Sequence, residues 1–205
     1  MFELGESAWY VTARNFLNQN KYPKDKVVNN FKKWINDRDE DGASESQIRA
    51  WENCYEVLHA VLRQLTEEQR RFYLVFEYVL PVHDPASSRF VGENHCRADV
   101  TLVSRDTVFV LEFKDRDDSF EGLFRAAEKY QRRFENYHVE SRGMKIESML
   151  VQTTAHDLLD AQPGFSGALI PTCSPDHLAE EIRKRMGEHP QYPNITRWIE
   201  SEFHR

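Results

Sequence analysis

The chain has 205 residues, 40% of them hydrophobic, which is enough for a domain with a buried core. Charged residues make up 30%, and no apolar run approaches the roughly 20 residues that a membrane span needs, so a helical membrane protein is excluded and a soluble one expected. A net charge of -7 excludes a surface coated in basic residues; any grip on nucleic acid must come from local clusters or from a partner.

The first six residues, Met1 to Glu6, are acidic and lack an apolar core, so no signal peptide is expected. Residues 1–45 read as a peripheral helical extension. Ala8-Trp9-Tyr10-Val11 and Phe16-Leu17 form one apolar cluster, and Val27, Val28, Phe31, Trp34 and Ile35 follow at helical spacing. The charged run over 37–42 breaks that pattern. It reads as a solvated loop, because it lacks the further acidic ligands and closing glutamate of an EF-hand. Ser44 or Ser46 then caps an amphipathic helix of about five turns, with Ile48, Trp51, Tyr55, Leu58, Leu62 and Leu65 on its apolar stripe.

Residues 72–80 are rich in β-formers and stop at Pro81, giving a first strand. The stretch 82–96, with Pro85 and Gly92, reads as a mobile loop. Residues 98–103 and 107–113 are two more strands, joined tightly by Ser104-Arg105-Asp106 as a hairpin. A helix follows over 120–137. Residues 148–153 form a fourth strand, and 167–171 are a candidate fifth. Ser174-Pro175-Asp176 starts a helix that ends near Met186, and a last helix is expected over 194–203. The expected fold is α/β: a mixed central sheet of four to five strands flanked by helices over 46–205, preceded by the helical extension.

The hairpin carries the chemistry. Asp99 lies at the start of its first strand, and after twelve intervening residues its second strand ends in Glu112-Phe113-Lys114. Pairing the two strands brings Asp99 and Glu112 to one end. Glu112 and Lys114 point to the same face and Phe113 to the other. Val108-Phe109-Val110-Leu111 is apolar on both faces, as a buried strand is, so a glutamate and a lysine at its end need a reason. A hairpin-end ion pair is one. A site for a hard, oxygen-loving cation, Mg²⁺ or Mn²⁺, is the other, with the Phe113 carbonyl as a further oxygen.

Helix, three-stranded meander, helix and strand, with Asp99 and Glu112-Phe113-Lys114 so placed, resemble the PD-(D/E)XK (restriction-endonuclease-like) nucleases over residues 46–170. More narrowly, Phe76-Glu77-Tyr78-Val79-Leu80-Pro81, Arg97-Ala98-Asp99-Val100, Val110-Leu111-Glu112-Phe113-Lys114 and Asn136-Tyr137-His138 resemble one group of nuclease-like domains. These precede a Schlafen-like, superfamily-one DNA/RNA helicase in bacterial proteins of unknown function. Ala98 stands where the signature has a proline, which ligates nothing. No GxxxxGK[ST] motif is present, so this stretch carries no ATPase of its own and a helicase would be a partner or another part of a longer chain.

The resemblance implies Mg²⁺- or Mn²⁺-dependent hydrolysis of DNA, with RNA as the alternative, in bacterial DNA processing or defence against foreign DNA. Asp99, Glu112 and the Phe113 carbonyl would hold the ion, and Lys114 would orient the water or neutralise the transition state. Such folds often add an acid from the first helix. Glu52, at the edge of the apolar stripe, is preferred over Glu56, and Glu77, in an otherwise apolar strand, is the rival. Related nucleases carry a Gln-x-x-x-Tyr motif on the following helix; here Gln131 and Tyr137 are six apart, a partial match that makes Gln131 a candidate. Arg97, Arg125, Arg132 and Arg133 are the candidate contacts to a nucleic-acid backbone. Two other readings stand beside this one. One is a catalytically weak module that docks on nucleic acid or on a helicase. The other is a homodimer joined through the aromatic N-terminal zone. Cys54, Cys96 and Cys173 are odd in number and far apart, which predicts neither disulfides nor a metal clip and points to a reducing cytoplasm. His95, Cys96 and His138 fit no common zinc spacing, and His156-Asp157 reads as a turn.

Overall fold

A computed structural model describes residues 7–37, 41–80, 82–84, 89–91, 97–114, 120–163, 169–187 and 189–203, and of 82–84, 89–91, 120–128 and 162–163 the backbone alone. In chain order the elements are β1 (Trp9–Thr12), α1 (Ala13–Phe16), α2 (Lys24–Asn36), α3 (Glu45–Arg63), β2 (Tyr73–Val79), β3 (Val82–Asp84), β4 (Arg89–Val91), β5 (Arg97–Val103), β6 (Thr107–Lys114), α4 (Phe120–Tyr137), β7 (Lys145–Gln152), β8 (Leu159–Pro163), β9 (Leu169–Cys173), α5 (Pro175–Met186) and α6 (Ile195–Ile199).

The large sheet runs in the order β1-β2-β5-β6-β7-β9-β8, and β3 pairs with β4 in a separate two-stranded ribbon. β1, β2, β5 and β6 are antiparallel neighbours, β6-β7 and β7-β9 are parallel, and β8 returns antiparallel along β9. The parallel step from β6 to β7 needs a crossover, which α4 supplies. The sheet is thus mixed, as expected, but it has seven strands rather than four to five. The two additions, β1 and β8, are short edge strands; β8 contains an aspartate and a glutamine and ends in proline, a composition tolerated at an edge and unlike that of a central strand. The last helix is also shorter than expected, five residues with Asn194 as its cap.

The strands are apolar on both faces because both faces are covered. One core joins Leu74, Phe76, Leu102 and Phe109 to Phe31 of α2, Leu58 of α3 and Ile182 of α5. The other joins Val75, Tyr78, Val108 and Val110 to Phe134 of α4 and Trp198 of α6. The segment expected as a helical extension supplies β1 to the sheet and Val11, Phe16, Val27, Val28 and Ile35 to the first core.

Local signals place the helix that matters most for the site. Ser44, one of the two candidate caps, accepts the Gln47 amide at 3.2 Å while the Gln47 side chain accepts the Ser44 amide at 3.1 Å, a reciprocal capping box. Just before it, Gly42 has φ 64, and a Cβ there would lie 2.8 Å from Asn36 Oδ1, so the break in the charged run rests on glycine.

At the far end of the second core, His138 is fully buried. Trp198 Nε1 donates to Ser141 Oγ at 3.0 Å, Ser141 Oγ lies 2.7 Å from His138 Nδ1, and His138 Nε2 lies 3.1 Å from the Trp198 carbonyl. That network fits a neutral imidazole protonated on Nε2, and burial pushes its pKa down to about 3. His138 therefore anchors the C-terminal segment, with both ring nitrogens engaged by protein groups. His95 and Cys96 lie outside the described residues. Among the described residues no helix is long and apolar enough to cross a membrane.

Candidate active site

The antiparallel ladder between β5 and β6 ends at Val100 opposite Leu111. The next residues in register are Asp99 and Glu112, and there side chains replace the ladder. Asp99 Oδ2 accepts the Phe113 amide at 2.8 Å, and Glu112 Oε1 accepts the Asp99 amide at 3.4 Å. Each carboxylate thus reaches across to the opposing strand, as the hairpin pairing predicts. Lys114 Nζ lies 3.7 Å from Glu112 Oε2, its side chain 35% exposed against 3% for Glu112, while Phe113 points into the first core.

On the other side of β5, Phe76 pairs with Val100 and Tyr78 with Ala98, so Glu77 stands opposite Asp99. Glu77, Asp99 and Glu112 form one row across three adjacent strands. The alternation of β2 breaks at Glu77: Phe76 packs in one core and Tyr78 in the other, and Glu77 has φ 50. A non-glycine residue in the left-handed region costs on the order of 1–3 kcal/mol and persists only where its surroundings hold it. Two groups hold this one. Trp51 Nε1 of α3 donates to Glu77 Oε1 at 2.9 Å, and Arg97 Nε lies 3.7 Å from Glu77 Oε2. The Arg97 guanidinium also sits 5.8 Å above the Trp34 ring.

These groups open into one cavity of about 550 Å³, lined by Glu77, Arg97, Asp99, Glu112 and Lys114 together with aromatic and α3 residues. Its charges are poorly solvated. Burial raises the Glu112 pKa well above the usual carboxylate range, and the neighbouring Asp99 raises it further. Burial and then Asp99 push Glu77 up to about 7, against the Trp51 hydrogen bond and Arg97. Burial also raises Asp99, opposed by Lys114, the Phe113 amide and Arg97. Asp99, more than Glu112, raises the Lys114 pKa, so the lysine is an ammonium.

Among the described residues no three His, Cys, Asp or Glu side chains are grouped to cage a metal ion. Mg²⁺ does not demand a cage: it keeps several waters and is held through one or two carboxylates plus substrate phosphate. The Asp99–Glu112 pair at the open end of a strand fits that requirement.

The other sequence candidates fall elsewhere. Glu52 does not line the cavity; its charge acts on Lys24, which Glu56 holds at 2.7 Å. Gln131 donates to Glu135 at 2.9 Å on the exposed side of α4 and is outside the lining too. Arg132 is exposed, whereas Arg133 is buried and donates to the Leu80 carbonyl at 2.9 Å, a structural commitment rather than a free guanidinium. The side chain of Arg125 lies outside the described residues. Sequence reading passed over Gln47 and Arg49 as lining residues, and placed Trp51 and Tyr130 on apolar helix stripes, where they are indeed buried, without seeing that they also line the cavity. Arg49 is two positions from Trp51, about 200° round the helix and away from the apolar stripe, so the periodicity held no signal for it.

No family model matches the chain, and no curated protein matches it. Among solved structures the chain is similar to protein VC1899 from Vibrio cholerae, with 14% identity and a TM-score of 0.36 over 87% of this chain and 44% of that one. The chain therefore spans less than half the length of that protein, and what it carries is a mixed α/β sheet with an acidic, lysine-bearing cavity at the end of its central hairpin.

Proposed function

We propose that the cavity is the active site of a metal-dependent nuclease that hydrolyses phosphodiester bonds of DNA, or alternatively RNA. One observation carries the reading. Asp99 and Glu112 are turned inward at the end of a buried hairpin, where burial disfavours their charges, and a lysine shares their cavity. Both carboxylates are raised by desolvation, and Glu112 further by Asp99, which is the setting that a bound cation would complete.

Asp99, Glu112 and the Phe113 carbonyl would hold Mg²⁺ or Mn²⁺. When bound, the ion lowers the pKa of a coordinated water and neutralises charge on a phosphate oxygen. Lys114 stays protonated beside the two acids, so its part is to stabilise charge growing on the phosphate, not to take the water's proton. Attack by the water forms one P–O bond as the ester P–O bond breaks, and the released alcohol keeps the electron pair and gains a proton.

The test is cleavage of labelled DNA and RNA with Mg²⁺ or Mn²⁺, with EDTA, Asp99→Ala and Lys114→Ala as controls. The expected result is metal-dependent cutting that both variants lower by at least about a hundredfold. No cutting together with no calorimetric heat for Mn²⁺ would overturn the reading and leave a docking module, the role that a net charge of -7 suits better.

A further inference from the structure

We infer that Tyr78 is a positioning residue for the site, and that the C-terminal segment 194–203 sets the places of Glu77 and Arg97 through it; the effect on turnover, though not the geometry, rests on the nuclease reading above. Residues 76 and 78 of an unbroken strand share a face. Here each is an aromatic ring seated in a different core. Phe76 stacks on Trp9 with ring centres 5.5 Å apart and meets Phe31 at 5.2 Å. Tyr78 is fully buried, 4.9 Å from the Trp198 ring, 5.8 Å from Phe134 and 5.9 Å from His138. β5 follows the same course, with Val100 opposite Phe76 in the first core and Ala98 opposite Tyr78 in the second. Glu77 and Asp99 are the residues caught between. A left-handed turn at Glu77 lets two rings one residue apart on either side of it enter opposite faces.

The Tyr78 hydroxyl selects the face. A buried phenol needs a polar partner, and the second core supplies two: the hydroxyl donates to the Ile199 carbonyl at 3.2 Å and lies 3.0 Å from His138 Nε2. The C-terminal segment fixes both. Ile199 belongs to α6, and His138 is held by Ser141 Oγ at 2.7 Å on one ring nitrogen and by the Trp198 carbonyl at 3.1 Å on the other. Around them the Val139 amide donates to the Glu202 carbonyl and the Glu140 amide to Ser201 Oγ, each at 3.0 Å. On the opposite face the hydroxyl would lose both partners among the apolar side chains of the first core.

With Tyr78 so anchored, Glu77 turns to the Trp51 indole at 2.9 Å and to Arg97 at 3.7 Å, and the Arg97 charge acts on Asp99. A contiguous path therefore runs from α6 through Tyr78 and Glu77 to Arg97, and its two-way element is the face that residue 78 takes. Tyr78, His138, Ser141 and Trp198 are all outside the lining of the cavity, so the path reaches the acids from behind.

Two variants test this. Tyr78→Phe keeps the ring and removes the hydroxyl, and Ser141→Ala loosens His138 at a distance from both β2 and the cavity. The readout is the set of indole N–H cross-peaks of the ¹⁵N-labelled protein, four for its four tryptophans, assigned by single Trp→Phe changes. The Trp51 indole proton is expected to move upfield in Tyr78→Phe, as a donor does on losing a carboxylate, and to move the same way by less in Ser141→Ala. Cleavage of labelled nucleic acid in Mn²⁺ is expected to slow by about ten- to a hundredfold in Tyr78→Phe, and by less in Ser141→Ala, at a temperature where circular dichroism shows every protein folded. A Trp51 peak that keeps its wild-type position in either variant overturns the inference and leaves the network as structure alone. A displaced Trp51 peak with cleavage at the wild-type rate overturns it too. A displaced Trp51 peak in a protein whose wild type does not cut leaves the positioning in place and removes the catalytic reading.

Discussion

The Trp51–Glu77 contact can be weighed by one substitution. Trp51→Phe keeps an aromatic ring in the cavity wall but removes the Nε1–H that donates to Glu77 Oε1 at 2.9 Å. The lost packing costs the same at every pH. The lost hydrogen bond does not, because Glu77 titrates within reach of neutrality. Its folded pKa, pushed up to about 7 by burial and by Asp99, lies above the ordinary carboxylate value. The folded state therefore holds a proton that the unfolded chain has released, and the contribution of Glu77 to wild-type stability falls as pH rises through that window, levelling off above about 7. Below the window the bond joins an indole to a neutral acid, about 0.5–1.5 kcal/mol; above it the acceptor is a carboxylate, about 1.5–3 kcal/mol. The variant's deficit should accordingly be about 1 kcal/mol larger at pH 9 than at pH 5, and its stability should go on falling for roughly one more pH unit than the wild type's. Urea denaturation of both proteins at half-unit pH intervals measures this. A deficit that is constant across pH would refute the assignment of Trp51 as the group that holds the Glu77 carboxylate.

Three further outcomes follow from the structure. Glu112→Gln removes a carboxylate whose pKa burial raises well above its ordinary range, so the metal-free variant should be more stable than the wild type at pH 8, with the gain vanishing toward pH 4 as the wild-type residue becomes protonated in both states. Mn²⁺ at a hundred times its dissociation constant should stabilise the wild type by about 2.7 kcal/mol and leave Glu112→Gln unmoved in thermal melts, and equal shifts in both would place the ion elsewhere. Ser44→Ala removes the side-chain half of the capping box on α3 and should cost about 1 kcal/mol in urea unfolding, with Ser44→Asp restoring most of it; no loss would show that the first turn of α3 is held by other contacts.

Much of the sheet's centre was legible because local signals there agree with the fold. The hairpin of β5 and β6 announces itself through a polar three-residue joint between two apolar runs, and Asp99 meets Glu112 because antiparallel register leaves no other partner. α4 and α5 fall on the bounds that periodicity and the Ser174-Pro175 start predict. The edge strands were not legible. β1 and β8 are four and five residues long, and their assignment depends on a neighbour offering hydrogen bonds, which no local pattern records. Arg133 was misjudged because it sits in a basic run; its spacing of three from Tyr130 already put it on the buried stripe of α4. Glu52 was preferred over Glu77 on the strength of a helical wheel alone. The break at Glu77 that favours the strand residue is made by Trp51 and Arg97, which lie 26 residues before it in sequence and 20 after.

That break also says where the fold bears its cost. A sheet whose strands alternate cleanly between two cores would place Glu77 and Tyr78 on opposite sides from those they occupy. The chain instead accepts a left-handed glutamate, carboxylates turned inward at Asp99 and Glu112, and a hairpin end whose amides are satisfied by side chains in place of the ladder. Each departure alone lowers stability, and all of them fall within one row of three residues beside one cavity. Local rules are broken together where a function requires it, and observed everywhere else in the sheet's centre. The strain at Glu77 brings its carboxylate to the same side as Trp51, which leaves Arg97 braced between Glu77 and Trp34 and sets its charge next to Asp99. Straightening β2 would therefore relieve the backbone and, in the same movement, take a cation away from the acid on which the proposed chemistry depends.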